Sequence, residues 1–243
     1  MSTLLLRLAG PLQAWGSSSK FNTRYTDREP TKSGVIGMIS SAMGRSRNEP
    51  IEDLNSLRFG VRVDQEGELQ KDFHTAHSER DQKLSFISSR HYLSDALFIV
   101  GLEGDIALLN NIESAIKSPV YPLFLGRRAC PPTVPVTLGI RDAPLIDALC
   151  NEPWMAAEWY RKSAWPTINL KIICDAVESD ELSIYAKDRP ISFAQVQRKY
   201  GYRNITYSTT GPINNQLSKK KSKKELPTEH DPIAEVKEYN RGE

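Results

Sequence analysis

The sequence predicts an α+β protein: a ferredoxin-like (RRM-like) sheet with helices on one face, followed by a smaller, degraded β-rich half. Three observations carry this. The elements run strand, helix, strand, hairpin arm, strand, helix up to about residue 116. Two strands, Thr3 to Ala9 and Ala96 to Val100, are apolar almost throughout, as strands buried on both faces are. Two stretches carry a helical apolar face: Val35, Met38, Ile39, Ala42 and Met43 at i, i+3, i+4, i+7 and i+8, and Ile106, Leu109, Ile112, Ala115 and Ile116 on one side.

In chain order, Gly10-Pro11 breaks the first strand, and Leu12 to Gly16 leads into the polar Ser17-Ser18-Ser19-Lys20. Pro30-Thr31-Lys32-Ser33 opens a helix through Met43, with Thr31 as N-cap. Val35, Met38, Ile39, Ala42 and Met43 form its core face. Gly34, Gly37, Ser41 and Gly44 form a second stripe, which costs about 1 kcal/mol per glycine and marks the close approach of another backbone. Arg58 to Val63 alternates with period two, and Gln65-Glu66-Gly67 turns it into Leu69 to Thr75 as a hairpin. A polar insert from Thr75 to Ser89 projects as a long hairpin or loop. Asp105 caps a helix through Ile116. Val134 to Leu138 reads as an edge strand, because Pro135 denies it a central position. Beyond it come a helical turn at 145–150, a short helix near Trp159, and strands at 168–174 and 182–186. Ser192 to Arg203 is basic and aromatic. The expected divisions are 1–140, 141–213 and a lysine-rich, disordered tail over 214–243.

Several function classes are excluded or weakened. No apolar run approaches 18 residues, which argues against a membrane span, and Arg7 interrupts the N-terminal apolar stretch too early for a signal peptide. Three scattered cysteines suggest neither disulfides nor zinc and point to a reducing cytoplasm. Neither a P-loop, a Gly-x-Gly-x-x-Gly nor a Gly-x-Ser-x-Gly occurs. His74 and His77 lie three apart on a strand-to-loop segment, where two imidazoles do not converge on a metal. No cofactor, metal or catalytic set is expected.

Net charge is only +2, and the last thirty residues hold 7 Lys+Arg against 6 Asp+Glu, so any anion site upstream is local. The segment Gly126-Arg127-Arg128-Ala129-Cys130-Pro131-Pro132 is one candidate: two guanidinium forks follow a glycine and precede a stiff exit. Such a pair is also an ordinary solvated surface feature. The helix start at Lys32 and Ser33 is a second. Arg24, Arg28, Arg90, Arg198 and Arg203 add cations near element ends, interleaved with Trp15, Tyr25, Tyr92, Tyr200 and Tyr202. Single-stranded RNA asks for this mixture of guanidinium groups and stacking faces. Trp15 reads equally as a lid on the core. The lysines at 219–224 either hold a phosphate backbone or are merely solvated. A metal-independent endoribonuclease is the competing reading, since His74, His77, His91, Tyr92 and Lys83 gather around one insert.

Five collinear segments resemble the CasD-type subunits of type I-E CRISPR Cascade, members of the RAMP superfamily. They are LRLAGPLQAWG (Leu6 to Gly16), PTKSGVIGMI (Pro30 to Ile39), DFHTA (Asp72 to Ala76), SRHYLSDALFIV (Ser89 to Val100) and YPLFLGRRACPPT (Tyr121 to Thr133). The resemblance implies a ferredoxin-like RAMP domain whose insert at 75–89 is a β-hairpin thumb. It also implies an RNA-binding, non-catalytic subunit that grips the 5′ handle of the CRISPR RNA and caps the foot of the complex. Its partners would be the backbone subunits, the large subunit and, through the complex, target DNA. Carried over by position, the expected RNA contacts are Gln13, Trp15, Arg24, Lys32, Ser33, His74, Arg90, His91, Arg127 and Arg128. In a type I-C relative the equivalent subunit cuts RNA, which keeps the ribonuclease reading open.

Overall fold

The computed structural model describes residues 1–16, 22–77, 85–177 and 182–220. The expected insert tip, the polar run after Gly16 and most of the lysine-rich tail lie outside the described residues. The elements in order are β1 (Ser2–Ala9), β2 (Leu12–Gln13), β3 (Thr23–Arg24), α1 (Lys32–Ala42), α2 (Glu52–Asn55), β4 (Arg58–Gln65), β5 (Glu68–His77) and β6 (Ser85–Ser94). There follow β7 (Leu97–Gly104), α3 (Ile106–Lys117), β8 (Thr137–Arg141), α4 (Leu145–Asn151), α5 (Glu158–Ser163) and β9 (Thr167–Ile168). The last are β10 (Lys171–Asp175), β11 (Ile184–Ser192), β12 (Lys199–Thr209) and β13 (Ile213–Asn214).

Seven strands form one antiparallel sheet in the order β11-β12-β10-β4-β7-β1-β8. Side-chain alternation sorts its two faces. Leu4, Leu6 and Leu8 of β1, Phe59 and Val61 of β4, and Phe98, Val100 and Leu102 of β7 pack with α1 and α3. Leu5, Ile99, Ile172 and Cys174 point the other way, against Leu145, Ala148 and Leu149 of α4. Each fully buried side chain of this kind contributes about 1.5–3 kcal/mol. The stretch after residue 141 therefore adds β10, β12 and β11 to the same sheet, past β4.

Both long helices start where their caps indicate. Thr31 accepts a hydrogen bond from Gly34 N, and Asp105 accepts from Ala107 N and Leu108 N. The glycine stripe of α1 has a different use from the one expected. At Gly34 the neighbour is the indole of Trp15, at 2.9 Å from where a Cβ would stand, and not a second backbone.

The hairpin is also paired differently from the expectation. β4 is buried along nearly its whole length, and its edges are taken by β7 and β10. β5 is exposed throughout and pairs instead with β6, from Glu68↔Ser94 out to His77↔Ser85. The projecting hairpin is thus longer at its base than the 75–89 insert, and β6 runs from it almost directly into β7.

Candidate nucleic-acid interface

β6 is the strand on which the candidate site is assembled. Its outer edge pairs with β5; its inner edge takes β2 at Leu93 and Ser94 and, in parallel, β3 at Ser89 and Arg90. The loop after α3 approaches the same place. Gly126 has φ +81, a left-handed conformation that glycine adopts without a Cβ penalty, and it turns Arg127 back toward β3. The loop is closed by Leu125 N donating to Cys130 O at 2.7 Å and Cys130 N to Arg127 O at 2.8 Å. Ala14 N donates to Leu125 O at 3.1 Å and docks the loop on the segment after β1. Burial pushes the Cys130 thiol up, with Arg127 opposing.

Within this frame four of the expected RNA contacts come together. Arg127 Nη2 donates to the carbonyls of Arg24 (3.0 Å) and Tyr25 (3.4 Å), and its guanidinium lies 4.7 Å from the Tyr92 ring centre. Tyr25 stacks on His91, with ring centres 5.1 Å apart and planes 15° from parallel. Arg24 lies opposite Arg90 in the β3–β6 pairing. Arg90 Nε, His91 Nδ1 and Arg127 Nη1 are all shielded and have no hydrogen-bond partner among the described residues. Arg90 and His91 are consecutive on β6 and so project to its two faces, Arg90 with Tyr92 on one and His91 with the stacked Tyr25 on the other. Arg128, next in the loop, is exposed. His74 is exposed further out on β5, 2.8 Å from Asp72, whose register partner is Arg90.

The side chains of four other expected contacts belong to the interior. Gln13 is fully buried: its Nε2 donates to Leu8 O and Ala96 O, and its Oε1 accepts from Trp15 Nε1 at 2.9 Å. Trp15 is 1% exposed and packs on α1, so it is a lid on the core. Both position the site from beneath, since Trp15 bridges to Asp27 and thereby holds the segment that carries Arg24 and Tyr25. Lys32 Nζ donates to Leu57 O and pairs with Asp175 at 2.9 Å. Burial lowers the Lys32 pKa, with Asp175 opposing. Its backbone N–H donates to Asp188, so the anion held at this helix start is the protein's own carboxylate. Ser33 is buried beside Thr31. Arg203 completes this network, bonded to Asp188 and Asp175. Burial works against its charge, but the two carboxylates outweigh it and its pKa is raised.

Tyr25 and Tyr92 are parts of the site that the position-by-position reading omitted. The available signal was their interleaving with arginines at element ends. No three His, Cys, Asp or Glu side chains gather around a metal-sized point among the described residues. No helix is long and apolar enough to cross a membrane among the described residues.

Comparisons with known proteins agree with one another. The profile of the family described as CRISPR-associated protein (Cas_Cas5) matches residues 3–206. The CRISPR system Cascade subunit CasD of Escherichia coli (strain K12) is 35% identical over 162 residues, which span 58% of this chain and 72% of that protein. A solved chain described as a CRISPR RNA-guided surveillance complex superposes with a TM-score of 0.72 at 31% identity, covering 91% of this chain and 95% of its own. Another, described as a Cas protein, gives a TM-score of 0.68 at 36% identity over 89% and 97%.

Proposed function

The chain belongs to the Cas5 family of CRISPR-associated proteins, and on that footing we propose that it is the CRISPR RNA-binding subunit of a type I-E Cascade surveillance complex. It grips the 5′ handle of the RNA and caps the foot of the assembly, with backbone and large subunits as neighbours. Its first four sheet strands, in the order β4-β7-β1-β8 with α1 and α3 on one face, serve as a ferredoxin-like RAMP scaffold. The hairpin of β5 and β6 serves as its thumb. The observation that carries this reading is the meeting at β6 of Arg127 with the Arg24 and Tyr25 carbonyls and the Tyr92 ring, beside the Tyr25–His91 stack and the Arg24–Arg90 register pair. Guanidinium and imidazole N–H groups beside a stacked tyrosine suit phosphate oxygens and unstacked bases together. In this reading the chain acts as a binder, in which the guanidinium groups contact phosphates and no step of bond cleavage is assigned to His74 or His91.

The test is assembly on CRISPR RNA. Arg127→Ala combined with Arg128→Ala is expected to weaken handle affinity about 10- to 100-fold, the loss of one or two charge-assisted contacts. The slope of log affinity against log salt should fall by roughly one to two units. Circular dichroism should stay that of the parent. Normal assembly by the double variant would return Arg127 and Arg128 to the status of a surface pair. Metal-free cleavage of repeat RNA, abolished by His91→Ala or His74→Ala, would make the chain an endoribonuclease instead.

A further inference from the structure

The segment that carries Arg24 and Tyr25 has little strand pairing of its own. β3 meets β6 at Thr23↔Ser89 and Arg24↔Arg90 and ends there. Yet the carbonyls of Arg24 and Tyr25 are the acceptors that orient the Arg127 guanidinium. Beyond β3 the segment is fastened by a bridge to Trp15. One strand of that bridge is ordinary: Asp27 N donates to Trp15 O at 2.8 Å, as in an antiparallel pair. The return path runs through a side chain. Trp15 N donates to Thr26 Oγ1 at 2.8 Å, and the same hydroxyl donates to Asp27 O at 2.9 Å.

The other end of the bridge does not move. Trp15 is buried, and its indole N–H is bonded to Gln13 Oε1. Its ring would stand 2.9 Å from a Cβ at Gly34 of α1 and 3.4 Å from one at Gly126 of the Arg127 loop. One indole thus supports the helix, the loop that carries Arg127 and, through Thr26, the segment on which Arg127 rests. Thr26 is half-buried and carries no charge, so its effect on an anion is indirect. An arginine already oriented on fixed acceptors loses less conformational freedom when its remaining donors meet a phosphate. Those acceptors are backbone, and their placement depends on how the segment is anchored.

We infer that Thr26 is a positioning residue of the handle site: its hydroxyl closes the Trp15–Asp27 bridge and so fixes the two carbonyls on which Arg127 is oriented. This rests on the RNA-binding reading above and extends it to a residue that need not touch RNA.

Handle affinity of the full chain would be read by anisotropy with fluorescein-labelled RNA carrying the 5′ handle of its own CRISPR repeat. Thr26→Val, which keeps the shape and removes the hydroxyl, is expected to weaken binding about 5- to 10-fold, the effect of one hydrogen bond. Thr26→Ser restores the hydroxyl and should bind within about twofold of the parent. Thr210→Val is the control for stability alone, because the Thr210 hydroxyl likewise accepts from a backbone N–H, that of Leu170, at 2.9 Å. It should lower the thermal midpoint as Thr26→Val does, with handle affinity kept within about twofold. Since Thr26 acts through Arg127, the two losses should not multiply: Thr26→Val with Arg127→Ala should bind at least about threefold better than independent losses predict. Parental affinity in Thr26→Val, or losses that multiply in the double variant, overturns the proposal, while a weakened Arg127→Ala leaves the handle reading standing. An equal loss in Thr210→Val also overturns it, because affinity then follows stability. Parental affinity in Arg127→Ala would bring down the handle reading and this proposal together. Should Thr26→Val not fold, Thr26→Ala serves in the same comparisons.

Discussion

Replacing Arg62 with alanine is expected to destabilise the protein by about 3–5 kcal/mol, lowering the thermal midpoint by roughly 10 °C or more. Arg62 is wholly buried on the α4 side of β4, and its guanidinium uses all five N–H groups. Two go to Asp64 and three to the carbonyls of Leu149, Glu152 and Pro153, at the end of α4 and in the turn beyond it. The alanine variant leaves those carbonyls unanswered and the buried Asp64 carboxylate with only the Met155 N–H. Burial already pushes the Asp64 carboxyl up, with Arg62 opposing it, so removing Arg62 raises it further. A carboxyl whose folded pKa exceeds its unfolded value, about 3.9, binds its proton more tightly in the folded state. Stability is then lost as pH rises through that window. The deficit of Arg62→Ala relative to the parent should consequently be smaller at pH 4 than at pH 7. Urea unfolding at the two pH values measures this. A uniform deficit would show that the carbonyls, not Asp64, dominate the loss.

Gly126→Ala is expected to impair both stability and RNA binding. The left-handed φ of +81 costs an L-residue about 1–2 kcal/mol. A Cβ there would also fall inside the contact radius of the Ala14 carbonyl oxygen, which is backbone and cannot rotate aside. The loop must lift from the Ala14–Trp15 segment and take Arg127 away from Arg24 and Tyr25. Destabilisation of at least about 2 kcal/mol should accompany a loss of handle affinity as large as that of the Arg127/Arg128 pair. Gly139→Ala is the control. Gly139 also has positive φ, at +95, but a Cβ there meets only the far ends of side chains, Arg141 at 3.4 Å and Glu113 at 3.8 Å. It should show backbone strain with no change in RNA binding, and equal RNA binding by both variants would detach the Gly126 turn from the site.

Local physics made much of this legible from sequence. Thr31 and Asp105 cap their helices because a short acceptor precedes an apolar period, and the two apolar strands are central because they are apolar almost throughout, with Arg7 the one charged residue in β1. Pairings between distant residues were not legible. Lys32 meets Asp175 and Asp188 across most of the chain, and no local pattern distinguishes a lysine waiting for phosphate from one already neutralised. Gln13 resembled a polar loop residue, yet its amide is consumed by Leu8 and Ala96 carbonyls. The turn at Gln65–Gly67 suggested a β4–β5 hairpin. The contrary signal was composition: ELQKDFHTAH is too polar to lie beside a strand buried on both faces. The Arg127 turn was legible in kind but not in detail, since its stacking on Tyr92 depends on where β6 lies.

The position of β4 has a consequence for synthesis. Its inner edge closes early, against β7, but Arg62 does not meet Ile172 until β10 has been made. At translation rates of about 5–20 residues per second, that delay is on the order of ten seconds. Throughout it the nascent chain carries an apolar strand edge able to accept any passing strand, and an arginine whose carbonyl partners at 149–153 have also yet to be added. Arrival of Lys171–Asp175 closes that edge, so β10 is the segment whose timely synthesis and docking protects the growing protein from association with its neighbours on the polysome.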